Sequence, residues 1–341
     1  MTALAAPTTV GAATLPHPRG PLSEAVLDVL AGRRPTSQLS AYQNAAASSD
    51  PFGEDLQLAL YVCYELHYRS FAGVDDVLEW DPDVLRLRAL LERPFVDTLH
   101  AGVAGGDDVD GALDQLLVEP ADGSGPSHHL AERGRLWQLR EYVVHRSMYH
   151  LKEADPQAWV IPRLDGQAKA SMVAVEHDEY GAGRGERLHA TLFAEMMAAL
   201  GLDPSYGHYL DLVPAVTLAT VNAMSCFGLH RALRGALIGQ FASVEITSSP
   251  GSARLDRAVQ RLAGDQVAAT RFYAEHIEAD AVHEQVVRGA IIADLLGRQP
   301  ELAADVVFGI QADGLLEDRL ATHLTAAWRE DQSSLLRPLG A

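Results

Sequence analysis

His276-Ile277-Glu278-Ala279-Asp280-Ala281-Val282-His283 places two imidazoles and one carboxylate at positions i, i+4 and i+7. On a helix of 3.6 residues per turn these positions fall within an arc of roughly 60°, so all three groups project from one face. A lone His or Asp on a helix is ordinarily solvated or hydrogen-bonded. With 14 His and 46 acidic residues in the chain, such a triplet arises by chance in roughly one sequence in ten. The stripe therefore points to a metal only if partners lie elsewhere.

The sequence around the stripe is helical almost throughout. Apolar residues recur at helical spacing over 133–155, 167–180, 187–200, 209–246, 255–262, 266–296, 300–310 and 315–329, and no run of alternating β-branched residues interrupts them. The expectation is an all-α fold. Upstream, 51–69, 83–100 (kinked at Pro94) and 108–118 read as further helices. The stretch 119–127 (EPADGSGPS) is the clearest break. Three regions follow: a disordered tail over 1–48, an N-terminal helical subdomain over 49–120, and a metal-carrying helical domain over 128–335.

Composition narrows the functional classes. A 341-residue chain with 48% hydrophobic residues can bury a substantial core. Its net charge of −19 argues against a nucleic-acid or anionic-membrane partner, because both require clustered Lys and Arg. Cys63 and Cys226 lack CxxC spacing, so a thiolate metal site is not expected and a reducing, cytoplasmic setting is. The apolar stretch 212–229 carries Pro214, Thr217, Thr220, Asn222 and Ser225, which favours a helix wrapped by its own protein over a membrane span. Gly181, Gly183 and Gly185 lack the strand and Lys-Ser/Thr pair of a phosphate loop, and break a helix instead.

Three glutamates stand where helix ends disfavour acids. Glu153 precedes Asp155-Pro156, Glu179 precedes the glycine cluster, and Glu245 precedes Thr247-Ser248-Ser249-Pro250. His189 follows Glu179 by ten residues. With the opening stripe, the candidate ligands are Glu153, Glu179, His189, Glu245, His276, Asp280 and His283. This mixture of imidazole and carboxylate suits two ions of iron or manganese better than structural zinc, with zinc-dependent hydrolysis as the alternative. An alternative pairing takes Glu186-x-x-His189 with Asp280-x-x-His283, which would put Glu186 in place of Glu179.

The order and intervals Glu153, Glu179, His189, Glu245, His276-x3-Asp280-x2-His283 resemble the heme-oxygenase-like diiron oxidases and oxygenases. The resemblance is greatest to their N-oxygenase branch, which includes the central domain of the streptozotocin-pathway enzyme. It implies a heme-oxygenase-like helical bundle preceded by a helical region used for dimerisation. It further implies two Fe(II) ions, with dioxygen as co-substrate activated as a peroxo-diferric species, and an N-hydroxylated or further oxidised small-molecule product of specialised metabolism. Glu179 corresponds to the extra carboxylate of the N-oxygenating members and is the expected catalytic group. No cupin-like domain follows residue 341, so only the oxygenation step is expected. The substrate would be an amine, guanidine or aminoazole, and electrons would come from an external donor. The competing readings are a diiron oxidase that cleaves a C–C bond of an amino acid or fatty acid, and a metal-free helical binding protein. The helix around 209–241 is rich in small residues, and Trp137, Tyr142 and Tyr149 read as core packing.

Overall fold

A computed structural model describes residues 13–119, 123–264 and 267–340; the side chains of 267, 278, 280 and 281 lie outside that description. The chain is all-α. The helices are α1 (Pro21–Leu30), α2 (Gln43–Ser48), α3 (Glu54–Glu65), α4 (Pro82–Gly102), α5 (Val109–Leu116), α6 (Pro126–Glu132), α7 (Leu136–His150), α8 (Asp155–Ala158), α9 (Gly166–Glu179), α10 (His189–Ala199), α11 (Ala215–Leu229), α12 (Arg234–Ala263), α13 (Val267–Val286), α14 (Ala293–Arg298) and α15 (Ala303–Arg329). A π-helical segment, Val287–Ile292, joins α13 to α14 and packs on α9.

α12 is the spine, running against α13 on one side and α15 on the other. Gly239 and Gly309 explain the closeness of the α12–α15 crossing: a Cβ on Gly239 would collide with the Val306 carbonyl, and one on Gly309 with the Ala236 carbonyl. Close packing also accounts for Gly228 of α11, where a Cβ would sit 2.5 Å from the Pro156 carbonyl oxygen. α11 is buried along nearly its whole length, and among the described residues no helix is long and apolar enough to cross a membrane.

Three expectations change. The stretch 1–48 was expected to lack structure, yet α1 forms there; residues 1–12 lie outside the described residues. Pro21 occupies the first turn, where its missing N–H costs nothing, and Leu22, Val26, Leu27 and Leu30 bury against the core as α1 packs on α3. The expected helix 209–246 is interrupted between α11 and α12. Beyond it, Thr247-Ser248-Ser249-Pro250 does not end a helix, because α12 continues through Pro250 to Ala263. Thr247 Oγ1 donates back to the Ser243 carbonyl at 2.7 Å, a local bond that bends rather than ends a helix, just before Pro250 removes the hydrogen bond to the Ile246 carbonyl.

Within 49–120, α3 lies on α11, while α4 and α5 lie on α15, all through one hydrophobic core. Asp81 caps α4, accepting from the Asp83 and Val84 amides, with Pro82 at the first position.

Candidate metal centre

Four helices and the turn after α7 deliver the polar groups to one buried point. After α7 ends at His150, the chain turns and carries Glu153 inward. α9 terminates at Glu179, and Gly181 adopts φ +68°, where a Cβ would lie 2.5 Å from the Arg187 carbonyl carbon. Only glycine fits that turn, and the loop it closes starts α10 at His189, whose Nδ1 lies 2.6 Å from Glu179 Oε2. Glu245 comes from the middle of α12, not from a helix end as the sequence implied. α13 supplies His276 and His283, seven residues apart on one face.

Glu153, Glu179, His189 and His276 offer donor atoms all within 4.8 Å of one another; so do Glu179, Glu245 and His283. Glu179 belongs to both groups. Its Oε2 faces His189, and its Oε1 lies 3.5 Å from His283 Nδ1, which is itself 3.1 Å from Glu245 Oε2. On the other side, His276 Nε2 is 3.5 Å from Glu153 Oε1. Six of the seven expected ligands thus converge, and the side chain of Asp280 lies outside the described residues. Glu186 is exposed in the turn Gly185–Arg187, away from both groups.

The surroundings fix the orientation of these groups. His276 Nδ1 donates to the Phe272 carbonyl at 2.8 Å, which turns Nε2 inward. His283 Nε2 lies 3.4 Å from Asp178 on its outer side, leaving Nδ1 toward Glu179 and Glu245. Glu153 Oε2 is buried without a hydrogen-bond partner, and His189 Nδ1 approaches Glu179 without hydrogen-bond geometry. Buried lone pairs facing one another in this way fit a metal better than a hydrogen-bond network.

Two contributors escaped the sequence reading. His150 Nδ1 sits 2.8 Å from Glu153 Oε1, and the His150-x2-Glu153 spacing was the available signal. Glu176, one turn before Glu179, is 2% exposed and neither carboxyl oxygen has a hydrogen-bond partner. Burial first, then the charges of Glu179, Glu245 and Asp155, push its carboxyl up to about 9. The unfolded chain ionises near 4.5, so between these values only the native state holds the proton and stability falls as pH rises. In metal-free protein, Glu176→Gln is expected to raise the thermal midpoint more at about pH 8 than at about pH 5, with a gain in stability of at most ~3 kcal/mol at neutral pH. Equal shifts at both pH values would mean that Glu176 is ionised in the fold.

A third group, Glu92, Cys226 and His230, also clusters. It is satisfied internally: Tyr64 donates to Glu92 Oε1 at 3.0 Å, Arg88 Nε pairs in charge with the same oxygen at 3.1 Å, and His230 contacts Oε2 at 3.0 Å. Burial pushes the Cys226 thiol up to about 12, so no thiolate is on offer.

A family model described as "Iron-containing redox enzyme" matches residues 140–317, the span that holds every residue of both buried groups. The chain belongs to that family. It is a heme-oxygenase-like redox protein, and the buried Glu and His groups point to iron as its metal. The chain is also 26% identical over 234 residues to nitrosourea synthase of Streptomyces achromogenes subsp. streptozoticus, across 66% of this chain and 50% of that protein. It therefore spans about half the length of that curated relative.

Proposed function

We propose that this chain is a non-heme diiron oxygenase that transfers oxygen from O2 to the nitrogen of an amine, guanidine or aminoazole. The observation that carries this reading is Glu179 standing between two buried His and carboxylate groups, one oxygen turned to each. The family and the nitrosourea synthase relative support iron-dependent redox chemistry on a nitrogen-rich small molecule.

Glu153, His189 and His276 would hold one ion, and Glu245 and His283 the other, with Glu179 common to both. Two iron ions would supply the dioxygen chemistry. Everything else falls to the protein. Phe272 and Asp178 fix the His276 and His283 rings. Glu176, buried one turn before Glu179, holds its carboxyl proton in the metal-free chain. A cavity of about 400 Å³ reaches His276 and His150, walled by Tyr142, Tyr149, Phe272 and Tyr273. Tyr142 and Tyr149, read from the sequence as core packing, thus border the space where a substrate would stand. The reading requires a separate electron donor.

The test is anaerobic Fe(II) titration of the purified chain, followed by O2, a chemical reductant and a panel of amines, guanidines and aminoazoles. Binding of two irons per chain and a product gaining oxygen on nitrogen are expected. A carbon-shortened product would favour the C–C cleaving oxidase, and no iron binding would remove both enzyme readings.

A further inference from the structure

The cavity beside His276 and His150 carries a charge imbalance that the metal ligands do not explain. Asp313 of α15 lines it and is 8% exposed. Its Oδ1 accepts from Gln240 Nε2 at 3.1 Å, and the Ser243 side chain supplies a second hydrogen bond. Both donors are neutral. The cations lining the same cavity are already committed to other carboxylates. Arg146 forks onto Glu317 at 2.7 and 2.6 Å, and Arg254 Nη1 donates to Glu119 at 2.6 Å. Asp318 adds a further, exposed carboxylate.

A buried carboxylate with only neutral donors is costly. Burial, then the neighbouring Glu317 charge, raise the Asp313 carboxyl to about 7 although the Arg146 charge pulls it down, as expected of an acid whose nearby cation is paired to another carboxylate. The same cavity is lined by the rings of Tyr149, Phe272 and Tyr273 and by Tyr142, which already carries the Arg146 guanidinium 5.3 Å from its ring centre, and aromatic rings favour positive charge. The Gly239–Gly309 crossing brings α12 and α15 into close contact and holds Gln240 and Asp313 in register, so the carboxylate is set by backbone packing.

We infer that this cavity takes its organic ligand as a cation, with Asp313 as the counter-charge. Its relevance to catalysis rests on the proposed nitrogen oxygenation, but the binding itself does not require iron.

The test titrates the full, metal-free chain with methylguanidine and with its neutral isostere N-methylurea, followed by ligand-detected NMR. Wild-type protein is expected to bind methylguanidine at least about tenfold tighter than N-methylurea. Asp313→Asn should remove most of that preference, and Asp318→Asn should leave it intact. Equal binding of the two probes by wild type, no binding of methylguanidine, or an unchanged preference in Asp313→Asn would overturn the inference. The comparison within wild type stands even if Asp313→Asn fails to fold. Iron stoichiometry, measured separately on the same preparation, decides the oxygenase reading, so one can fail without the other.

Discussion

Glu179→Ala protein, loaded anaerobically with Fe(II), is expected to retain one iron ion or fewer per chain where wild type retains two. Oxygenation should fall on the order of 100-fold or more. The expectation follows from position: Oε2 stands 2.6 Å from His189 Nδ1 and Oε1 3.5 Å from His283 Nδ1, so one side chain serves both groups. Removing Glu245 instead should weaken mainly the group that holds His283, because Glu245 belongs to that group alone. Without metal, Glu179 still faces the His189 and His283 imidazoles, so the Ala variant loses a buried partner of both rings along with the ligand, and metal-free melting is measured beside iron content. Iron quantitation, with melting curves on metal-free samples, separates the two effects. Full iron content in Glu179→Ala would remove Glu179 from the centre.

How much of this was legible beforehand depended on whether a contact lies within one helix or between helices. His276 and His283 could be paired from spacing alone, because 3.6-residue periodicity fixes their shared face. The glycine break after Glu179 was equally readable, and Gly181 does turn the chain toward His189. Glu245 was singled out through a wrong premise. Pro250 looked like a terminator, but α12 is held along its length by α13 and α15, and tertiary packing outweighs one lost backbone hydrogen bond. Glu176 was invisible because a glutamate in mid-helix reads as solvent-facing; only the packing of α9 on the π-helical segment and α13 buries it. α1 was missed although Pro21 and the apolar spacing after it form a start signal, because the Ala- and Thr-rich residues before it dominated the composition. Asp313 and Arg146 carried no local signal, since their environment is made by helices far apart in sequence.

Lys152→Met is expected to destabilise the protein by about 3–5 kcal/mol, a drop of several degrees in melting temperature. Lys152 Nζ lies 2.8 Å from Glu65 Oε2, and both side chains are 1% exposed. The ammonium also stands 4.2 Å from the centre of the Tyr68 ring and 5.0 Å from that of Tyr61, while Tyr206 donates its hydroxyl to Glu65 Oε1. Taking away the cation strands a buried anion, which costs far more than the intact pair contributes. The double change Lys152→Met with Glu65→Gln should therefore recover most of the lost stability, because no charge is left buried there. The consequence reaches the metal centre, since Lys152 is the residue before Glu153 and ties that turn to α3. Iron affinity should fall in the single variant and return at least partly in the double one. A single variant that melts within about a degree of wild type would show that Glu65 finds another partner, and would dissociate the N-terminal helices from the placement of Glu153.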